Sequence, residues 1–338
     1  MKDLIEKYNF NFKKKFGQNF LKDKNILENI ALKSDIDKDT LVIEIGVGAA
    51  ALTNVTCNYA KNVIGYEIDE TLKPIINEVL GDKDNVEIIF TDFLKRNVKE
   101  DIKKYEYKKL YVVANLPYYI TTPIIEKIIE DDLGVDKIVI MVQKEVGDRF
   151  NAKVGTKDYN SLTVFLNYYF DIKKLMNVSR NSFVPAPNVD SVIIEMDKKK
   201  NNYAVENEKL FFNIIRDSFK FKRKNLRNNL KGYNLDKILE VLKEYDLDLT
   251  VRAENLTIEQ FIEISNKLNE IEAELRSLDK EKVLSIAKEK CDLLKVKAEE
   301  LVEMAKKASQ PVIENAAKTV KRELANVTRE VLNKLEEK

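Results

Sequence analysis

The sequence predicts an α/β protein: a Rossmann-like sheet followed by a region of helices only. In the first part, short β-branched runs alternate with helical patterns, and the first run ends in Gly46-Val47-Gly48. A strand, a glycine-rich turn and a helix form the first unit of such a sheet. From about residue 204 to 270, apolar residues recur only at helical spacing.

Five apolar runs predict parallel strands at residues 40–45, 62–69, 86–90, 110–114 and 137–143. Helices are predicted between them, among others at 49–59 and 123–131. Two further strands, Ser161 to Phe170 and Ser191 to Met196, give the sheet an antiparallel part. A proline-spaced loop, 181–190, lies between these last two strands.

Composition changes divide the chain into three predicted regions. Residues 1–200 form the sheet-containing domain, which ends at a polar linker around 197–202. Residues 201–270 form a small all-α domain. Residues 271–338 are rich in Lys, Glu and Ala, and their periodicity predicts amphipathic helices without a catalytic signal.

Polar or glycine residues follow four successive predicted strands: Gly46, Glu67, Asp92 and Asn115. The carboxyl ends of parallel strands share one edge of a sheet, where ligands bind. Glu67 lies 21 residues after Gly46, the spacing at which a carboxylate accepts the hydroxyls of a nucleoside ribose. Any one of these residues could be a helix cap or a turn residue. The glycine turn and the acid together predict a cofactor that contains adenosine. They do not distinguish a dinucleotide from another adenosine cofactor.

The loop Asn115-Leu116-Pro117-Tyr118 provides an amide, a backbone carbonyl, a rigid turn and an aromatic face at the end of a buried strand. Pro117 fixes its own φ and favours an extended Leu116, so the carbonyls have defined directions. Tyr118 can stack on a nucleobase. The set suits a site that holds a planar, amine-bearing ring, although an isolated motif of this kind is equally typical of an ordinary turn.

Composition excludes several kinds of chemistry. The chain of 338 residues contains no histidine, which excludes a Ser-His-Asp triad and His-ligated zinc. Its two cysteines cannot form a four-cysteine site, and we expect no metal. Two cysteines are also too few for a disulfide scaffold, so we expect a reducing, cytoplasmic setting. No apolar run reaches the ~20 residues of a membrane span.

The formal net charge is only +1, but basic residues are clustered. The segment 220–231 contains six basic residues and no acidic one, and Lys13-Lys14-Lys15 forms a second cluster. A charge run is usually a solvated face. Aromatic residues are interleaved in both clusters, a pattern that favours nucleic-acid binding.

Four motifs, together with the basic run ending Asn225-Leu226-Arg227-Asn228, resemble the KsgA (RsmA) type of ribosomal RNA adenine N6-dimethyltransferases. The motifs are Phe16-Gly17-Gln18-Asn19-Phe20-Leu21, Glu44-Ile45-Gly46-Val47-Gly48, Asn115-Leu116-Pro117-Tyr118 and Phe183-Val184-Pro185-Ala186-Pro187-Asn188-Val189-Asp190-Ser191. They occur in the family's order, and the resemblance covers roughly residues 8–270. It implies a class I methyltransferase domain that uses S-adenosylmethionine (SAM).

Carried over position by position, the resemblance implies cofactor contacts from Asn19, Leu21, Gly46, Glu67, Asp92 and Asn115. Glu67 would bind the ribose hydroxyls and Asp92 the adenine, while Gly46 would let the backbone approach the methionine portion. Ala50 departs from the family, in which many members have a third glycine. Alanine is the mildest replacement, so we expect slightly altered packing rather than lost binding.

The resemblance also implies how the acceptor is held. The side-chain carbonyl of Asn115 and a backbone carbonyl near Leu116 and Pro117 would accept the two N–H groups of the adenine N6 amine. Tyr118 would stack on the target base, and Phe183 would stack on its other face. Orientation would then replace a general base, which agrees with a chain that has no histidine.

The implied substrate is a pair of adjacent adenosines in the 3′-terminal hairpin of 16S ribosomal RNA, modified in the immature small subunit. We expect a monomer that contacts RNA through its basic residues: Lys13, Lys14, Lys15, Lys220, Lys222, Arg223, Lys224 and Arg227.

Three alternatives stay open at this point. A related resistance methyltransferase modifies large-subunit ribosomal RNA, although the first motif and Leu116 favour the KsgA type. A non-catalytic assembly factor could keep the fold to bind RNA. The intact Glu67, Asp92 and Asn115 argue against this alternative. An NAD-dependent oxidoreductase would share the glycine turn and the acid, but it would not need the Asn115–Tyr118 loop.

Overall fold

The computed structural model describes residues 2–13, 18–81, 83–116, 120–200 and 203–277. Lys14, Lys15, Pro117 and Tyr118 lie outside the described residues, and so does the predicted helical tail beyond 277. Among the described residues, no helix is both long and apolar enough to cross a membrane.

The described residues form a seven-stranded sheet and a separate two-stranded one. The strands are β1 (Phe20–Leu21), β2 (Thr40–Ile45), β3 (Asn62–Glu67), β4 (Val86–Phe90), β5 (Lys109–Asn115), β6 (Lys137–Gln143), β7 (Phe170–Val178), β8 (Phe183–Val184) and β9 (Ser191–Lys198). The large sheet has the order β4-β3-β2-β5-β6-β9-β7. Strands β2 to β6 pair in parallel, whereas β9 pairs antiparallel with β6 and β7. The predicted Rossmann-like sheet with an antiparallel part is confirmed.

The chain order reverses between β2 and β5, which are neighbours in the sheet. In an open α/β sheet, this reversal leaves a crevice at the carboxyl ends of the two strands, and ligands bind there. Gly46 directly follows β2, and Asn115 ends β5. The topology therefore brings the first and third motifs to the same crevice.

Helices cover both faces of the sheet. They are α1 (Lys2–Lys7), α2 (Lys24–Lys33), α3 (Ala51–Tyr59), α4 (Lys73–Leu80), α5 (Val98–Ile102), α6 (Thr121–Glu130), α7 (Lys144–Phe150) and α8 (Ser161–Tyr169). The central strand β2 is buried on both sides: Leu41, Ile43 and Ile45 join the core on one face, and Val42 joins the core on the other. A strand covered on both faces needs a largely apolar sequence such as this one.

The prediction of a strand from Ser161 to Phe170 is wrong, because this segment is helix α8 and the strand β7 begins only at Phe170. The side chain of Asn160 accepts hydrogen bonds from the backbone of Leu162 and Thr163, and the Thr163 side chain bonds the Asn160 backbone in return. This capping box starts a helix in a segment whose aromatic content alone favours a strand.

The described residues 203–277 contain helices and no strand, as predicted for about 204–270. The α-helices are α9 (Glu208–Ser218), α10 (Leu226–Asn229), α11 (Leu235–Lys243) and α12 (Ile258–Ser277). Met1–Asn266 form one compact unit, and Lys267 begins a second. The domain limits at 200 and 270 stay predictions.

Candidate active site

A cavity of about 310 Å³ opens at the carboxyl edge of the sheet, within the range of small-molecule sites. All four predicted strand ends line it: Gly46, Glu67, Asp92 and Asn115. Asn19, Leu21 and Leu116 line it as well. The structure thus brings together all six residues predicted to contact a cofactor.

The turn after β2 needs its glycines. Gly46 and Gly48 have φ values of 78° and 59°, in the left-handed region that side chains disfavour. A Cβ atom at Gly48 would lie 3.1 Å from the ring of Phe20, so the turn and the N-terminal segment pack closely. Ala50 shares the left-handed region at φ 58° and is fully buried, which makes it a strained position for a residue other than glycine.

Glu67 holds the glycine turn in place. Its Oε2 atom accepts a hydrogen bond from the Gly48 backbone at 2.7 Å, and its Oε1 atom accepts one from the Asp69 backbone at 2.8 Å. The side chain is 6% exposed, and burial raises the pKa of its carboxyl. Carboxylate oxygens have two lone pairs each, so both atoms retain the capacity to accept from a ligand hydroxyl.

Glu44, the first residue of the second motif, also lines the cavity, although it was not predicted as a site residue. It is 2% exposed, and its Oε2 atom has no hydrogen-bond partner within the described part of the chain. Burial, together with the nearby charge of Glu67, raises the pKa of this carboxyl to about 8. The only available signal was a glutamate inside an apolar strand, where an acid is costly.

The N-terminal segment closes one side of the cavity. Strand β1 pairs with β8, with Leu21 opposite Phe183. Phe183 is 2% exposed, belongs to the hydrophobic core and does not line the cavity. In this structure Phe183 is packed in the same core cluster as Leu21, and its stacking on the target base stays a prediction.

Asp69, at the edge of the sheet, binds side chains of the N-terminal segment. This carboxylate, 2% exposed, accepts hydrogen bonds from Lys13 Nζ at 2.6 Å and Gln18 Nε2 at 2.8 Å. Thr71 donates to it through both its backbone and its hydroxyl group. Burial would raise the pKa of Asp69, but the bonds from Lys13, Thr71 and Gln18 hold it below its ordinary value.

Asn115 connects the loop after β5 to the N-terminal wall. Its Nδ2 atom donates to the backbone carbonyl of Asn19 at 3.1 Å. Leu116, 2% exposed, follows it along the cavity. The amide is therefore oriented by a neighbour that lies in the first of the four sequence motifs.

Comparison with known proteins assigns the family. Residues 9–270 match the ribosomal RNA adenine dimethylase family. Ribosomal RNA small subunit methyltransferase A from Staphylococcus aureus (strain bovine RF122 / ET3-1) is 43% identical over 273 residues, 78% of this chain and 92% of the relative. The protein of the same name from strain JH9 is 43% identical over 270 residues, with coverages of 77% and 91%.

The chain belongs to the ribosomal RNA adenine dimethylase family.

Solved structures agree with this assignment. A dimethyladenosine transferase from Plasmodium falciparum superposes with a TM-score of 0.64 at 28% identity, covering 74% of this chain and 98% of that one. The 23S rRNA methyltransferase ErmE, at 23% identity, shares the fold with a TM-score of 0.59 and coverages of 74% and 99%. The resemblance to the KsgA (RsmA) type is confirmed, and the oxidoreductase alternative is excluded.

This rRNA adenine dimethylase uses S-adenosylmethionine, and its cavity has the groups that this cofactor requires. The carboxylates of Glu67 and Asp92 can accept from hydroxyl and amino groups. Ile68 and Leu94 form an apolar wall beside them and stay 48% and 36% exposed, as expected of surfaces that a planar ring would cover. Glu44 adds a further polar side chain to the cavity lining, and its Oε2 atom has no hydrogen-bond partner among the described residues.

The described basic residues that are predicted to bind RNA differ in their contacts and exposure. Lys13 is bonded to Asp69 and Thr71, which makes it an anchor of the cavity wall. Lys220, Lys222, Arg223, Lys224 and Arg227 are all exposed. Of these, Lys222 donates to the backbone carbonyl of Lys157. The exposed group lies in and just after the loop between α9 and α10.

Proposed function

We propose that the chain transfers methyl groups to N6 of two adjacent adenosines in the 3′-terminal hairpin of small-subunit ribosomal RNA. Its substrate is the immature small subunit in the cytoplasm, and it acts as a monomer. The observation that carries the proposal is the orientation of the Asn115 amide beside the cofactor cavity. The names of the 43% identical relatives support the small subunit as the target.

We assign the cofactor to the strand-end residues. Glu67 binds the ribose hydroxyls, Asp92 binds the adenine edge, and Gly46 lets the methionine portion approach the backbone. Asn19 and Leu21 close the cavity from the N-terminal side. When bound, the sulfonium supplies an electrophilic methyl group that needs no activation by the protein.

The acceptor amine is a weak nucleophile, since its lone pair is delocalised into the adenine ring. A peptide carbonyl can only accept, so the bond to Asn19 requires the NH₂ group of Asn115 on that side. The Oδ1 atom of Asn115 is left to accept one N–H of the amine, and the Leu116 carbonyl accepts the other. Both bonds favour the pyramidal amine and direct its lone pair towards the methyl donor.

The target base must leave its stack to reach this position, which costs a few kcal/mol. We assign Tyr118 to stacking on the extruded adenine. The proton released after transfer leaves to solvent, because the chain has no histidine to receive it. A second cycle with fresh cofactor gives dimethyladenosine.

The test is methylation of purified particles. Small subunits from a strain that lacks the modification are incubated with the chain and cofactor, large subunits serve as the control, and nucleosides are quantified by mass spectrometry. We expect dimethyladenosine in the small subunits only, mapped to two adjacent positions. Methylation of large subunits alone would favour the resistance-type enzyme, whose relative ErmE shares the fold. Absence of product on both, with RNA binding intact, would favour a non-catalytic assembly factor.

A further inference from the structure

Aromatic residues in the basic clusters differ in exposure. Phe12 packs on Phe20 with ring centroids 5.3 Å apart, and Phe219 lies 6.0 Å from the rings of Tyr159 and Phe261. Phe221 is 50% exposed. A large apolar ring in water is unfavourable, and among the described aromatics of these clusters Phe221 is the one that presents its ring to solvent to this extent.

The loop that carries Phe221 is held in a defined shape. The Nδ2 group of Asn229 donates to the backbone carbonyls of Ser218 at 2.6 Å, Phe221 at 3.3 Å and Lys224 at 3.4 Å. The Lys224 backbone N–H also donates to the Phe221 carbonyl at 2.8 Å. A ligand that covers the ring therefore meets a pre-formed loop and does not have to order one.

Two lysine ammonium groups lie over the Phe221 ring. The ammonium group of Lys224 lies 4.8 Å from its centroid, and that of Lys220 lies 6.0 Å away. Across 220–231 six residues are basic and none is acidic. A partner of this surface must combine a flat apolar face with negative charge on either side, which is the chemistry of an unpaired nucleotide in RNA.

A protein partner fits the surface less well. Interface centres are depleted of lysine, and burying several ammonium groups without acidic partners is costly. Phosphates on both sides of a stacked base would neutralise the same cations while the ring is covered.

We propose that Phe221 stacks on an unpaired base of the substrate RNA, at a contact separate from the adenosine held by Asn115. The inference rests on the proposed function, because it takes ribosomal RNA as the ligand. It assigns base stacking to one particular aromatic residue of the basic segment 220–231.

Binding measurements with three variants test the proposal. Phe221→Leu keeps apolar bulk without an aromatic face, Phe221→Trp keeps the face, and Arg223→Ala removes a neighbouring charge. The probe is a protein-free fragment of small-subunit ribosomal RNA that contains the 3′-terminal hairpin, titrated over a range of salt concentrations. A fully paired duplex of equal length serves as the control RNA.

We expect Phe221→Leu to weaken binding to the hairpin by about 5- to 20-fold and Phe221→Trp to restore it. The slope of log affinity against log salt should stay unchanged in both variants, whereas Arg223→Ala should lower its magnitude by about 0.7–0.9. On the fully paired duplex, Phe221→Leu should bind like the wild type.

The proposal is overturned if Phe221→Leu binds the hairpin as tightly as the wild type. It is also overturned if the loss is equal on the paired duplex, or if it appears only on assembled subunits, which would indicate a protein contact. Methylation by the wild-type chain separates the two proposals. A wild type that binds the hairpin but transfers no methyl group contradicts the proposed function and leaves the stacking result interpretable.

Discussion

The Nδ2 atom of Asn115 donates a hydrogen bond to the backbone carbonyl of Asn19, 3.1 Å away. This bond joins the N-terminal wall of the cavity to the loop after β5. It fixes which end of the amide faces the wall, and so it defines the direction of the remaining acceptor, Oδ1. An asparagine at position 115 therefore has two separate roles in the proposed mechanism. Its Nδ2 group bonds the wall, and its Oδ1 atom accepts from the substrate amine.

Asn115→Ala should reduce turnover by about 100-fold or more at saturating cofactor, because it removes a pre-oriented acceptor at the reacting amine. Asn115→Asp should fail as well, since a carboxylate cannot donate to the Asn19 carbonyl. Single-turnover methylation measures the effect. Asn213→Ala is the matched control, because this asparagine pairs with Arg216 on α9. Substantial methylation by the alanine variant would contradict the assigned role.

Lys13→Ala should weaken cofactor binding and lower the free energy of unfolding by about 1–2 kcal/mol, because Asp69 would be left buried without its cation. Calorimetric titration and thermal unfolding measure the two effects. Lys7→Ala is the control: its ion pair with Glu78 is exposed, so little change is expected. If Lys13 contacted RNA instead, its removal would reduce the salt dependence of RNA binding and leave cofactor affinity intact.

Glu44→Gln should change how stability depends on pH. The folded chain holds a proton on Glu44 up to a pKa of about 8, against 4.5 for an ordinary glutamate. Between these values the folded state binds more protons than the unfolded state, so wild-type stability falls as pH rises by about 1.4 kcal/mol per pH unit from this group. The neutral glutamine lacks this loss. The free energy of unfolding is measured at pH 5 and pH 8.5 for both proteins, and it should fall less with rising pH in the variant than in the wild type. An equal fall in both proteins would show that Glu44 titrates normally.

Arg223→Ala and Arg227→Ala should each weaken RNA binding and reduce its salt dependence, while cofactor affinity is unchanged, because both side chains are exposed and distant in sequence from the cavity residues. Lys222→Ala should additionally loosen the loop, since Lys222 also donates to the Lys157 carbonyl. Filter binding at several salt concentrations measures the first effect. A variant that combines Arg223→Ala with Arg227→Ala should lose more affinity than either single variant. If its RNA affinity were unchanged, this loop would be excluded as the RNA contact.

The sequence predicted the positions of the strand ends well, because largely apolar runs such as β2 are typical of strands buried on both faces. It predicted a strand at Ser161–Phe170, where the capping box at Asn160 favours a helix. Pairings between distant residues were not predictable. Neither the bond between Lys13 and Asp69 nor the burial of Phe183 against Leu21 has a local signal, since both depend on how the N-terminal segment folds back onto the sheet.

The pairing of β1 with β8 also has a consequence for synthesis. The ribosome completes residues 20–21 long before residues 183–184, so the cavity wall lacks its strand partner while the sheet strands β2 to β6 are already made. A nascent chain that stops before Phe183 can assemble the glycine turn and its acid, but it cannot close the wall as the full chain does. The cavity wall therefore gains its strand partner late in translation, once residues 183–184 have emerged and β8 can pair with β1.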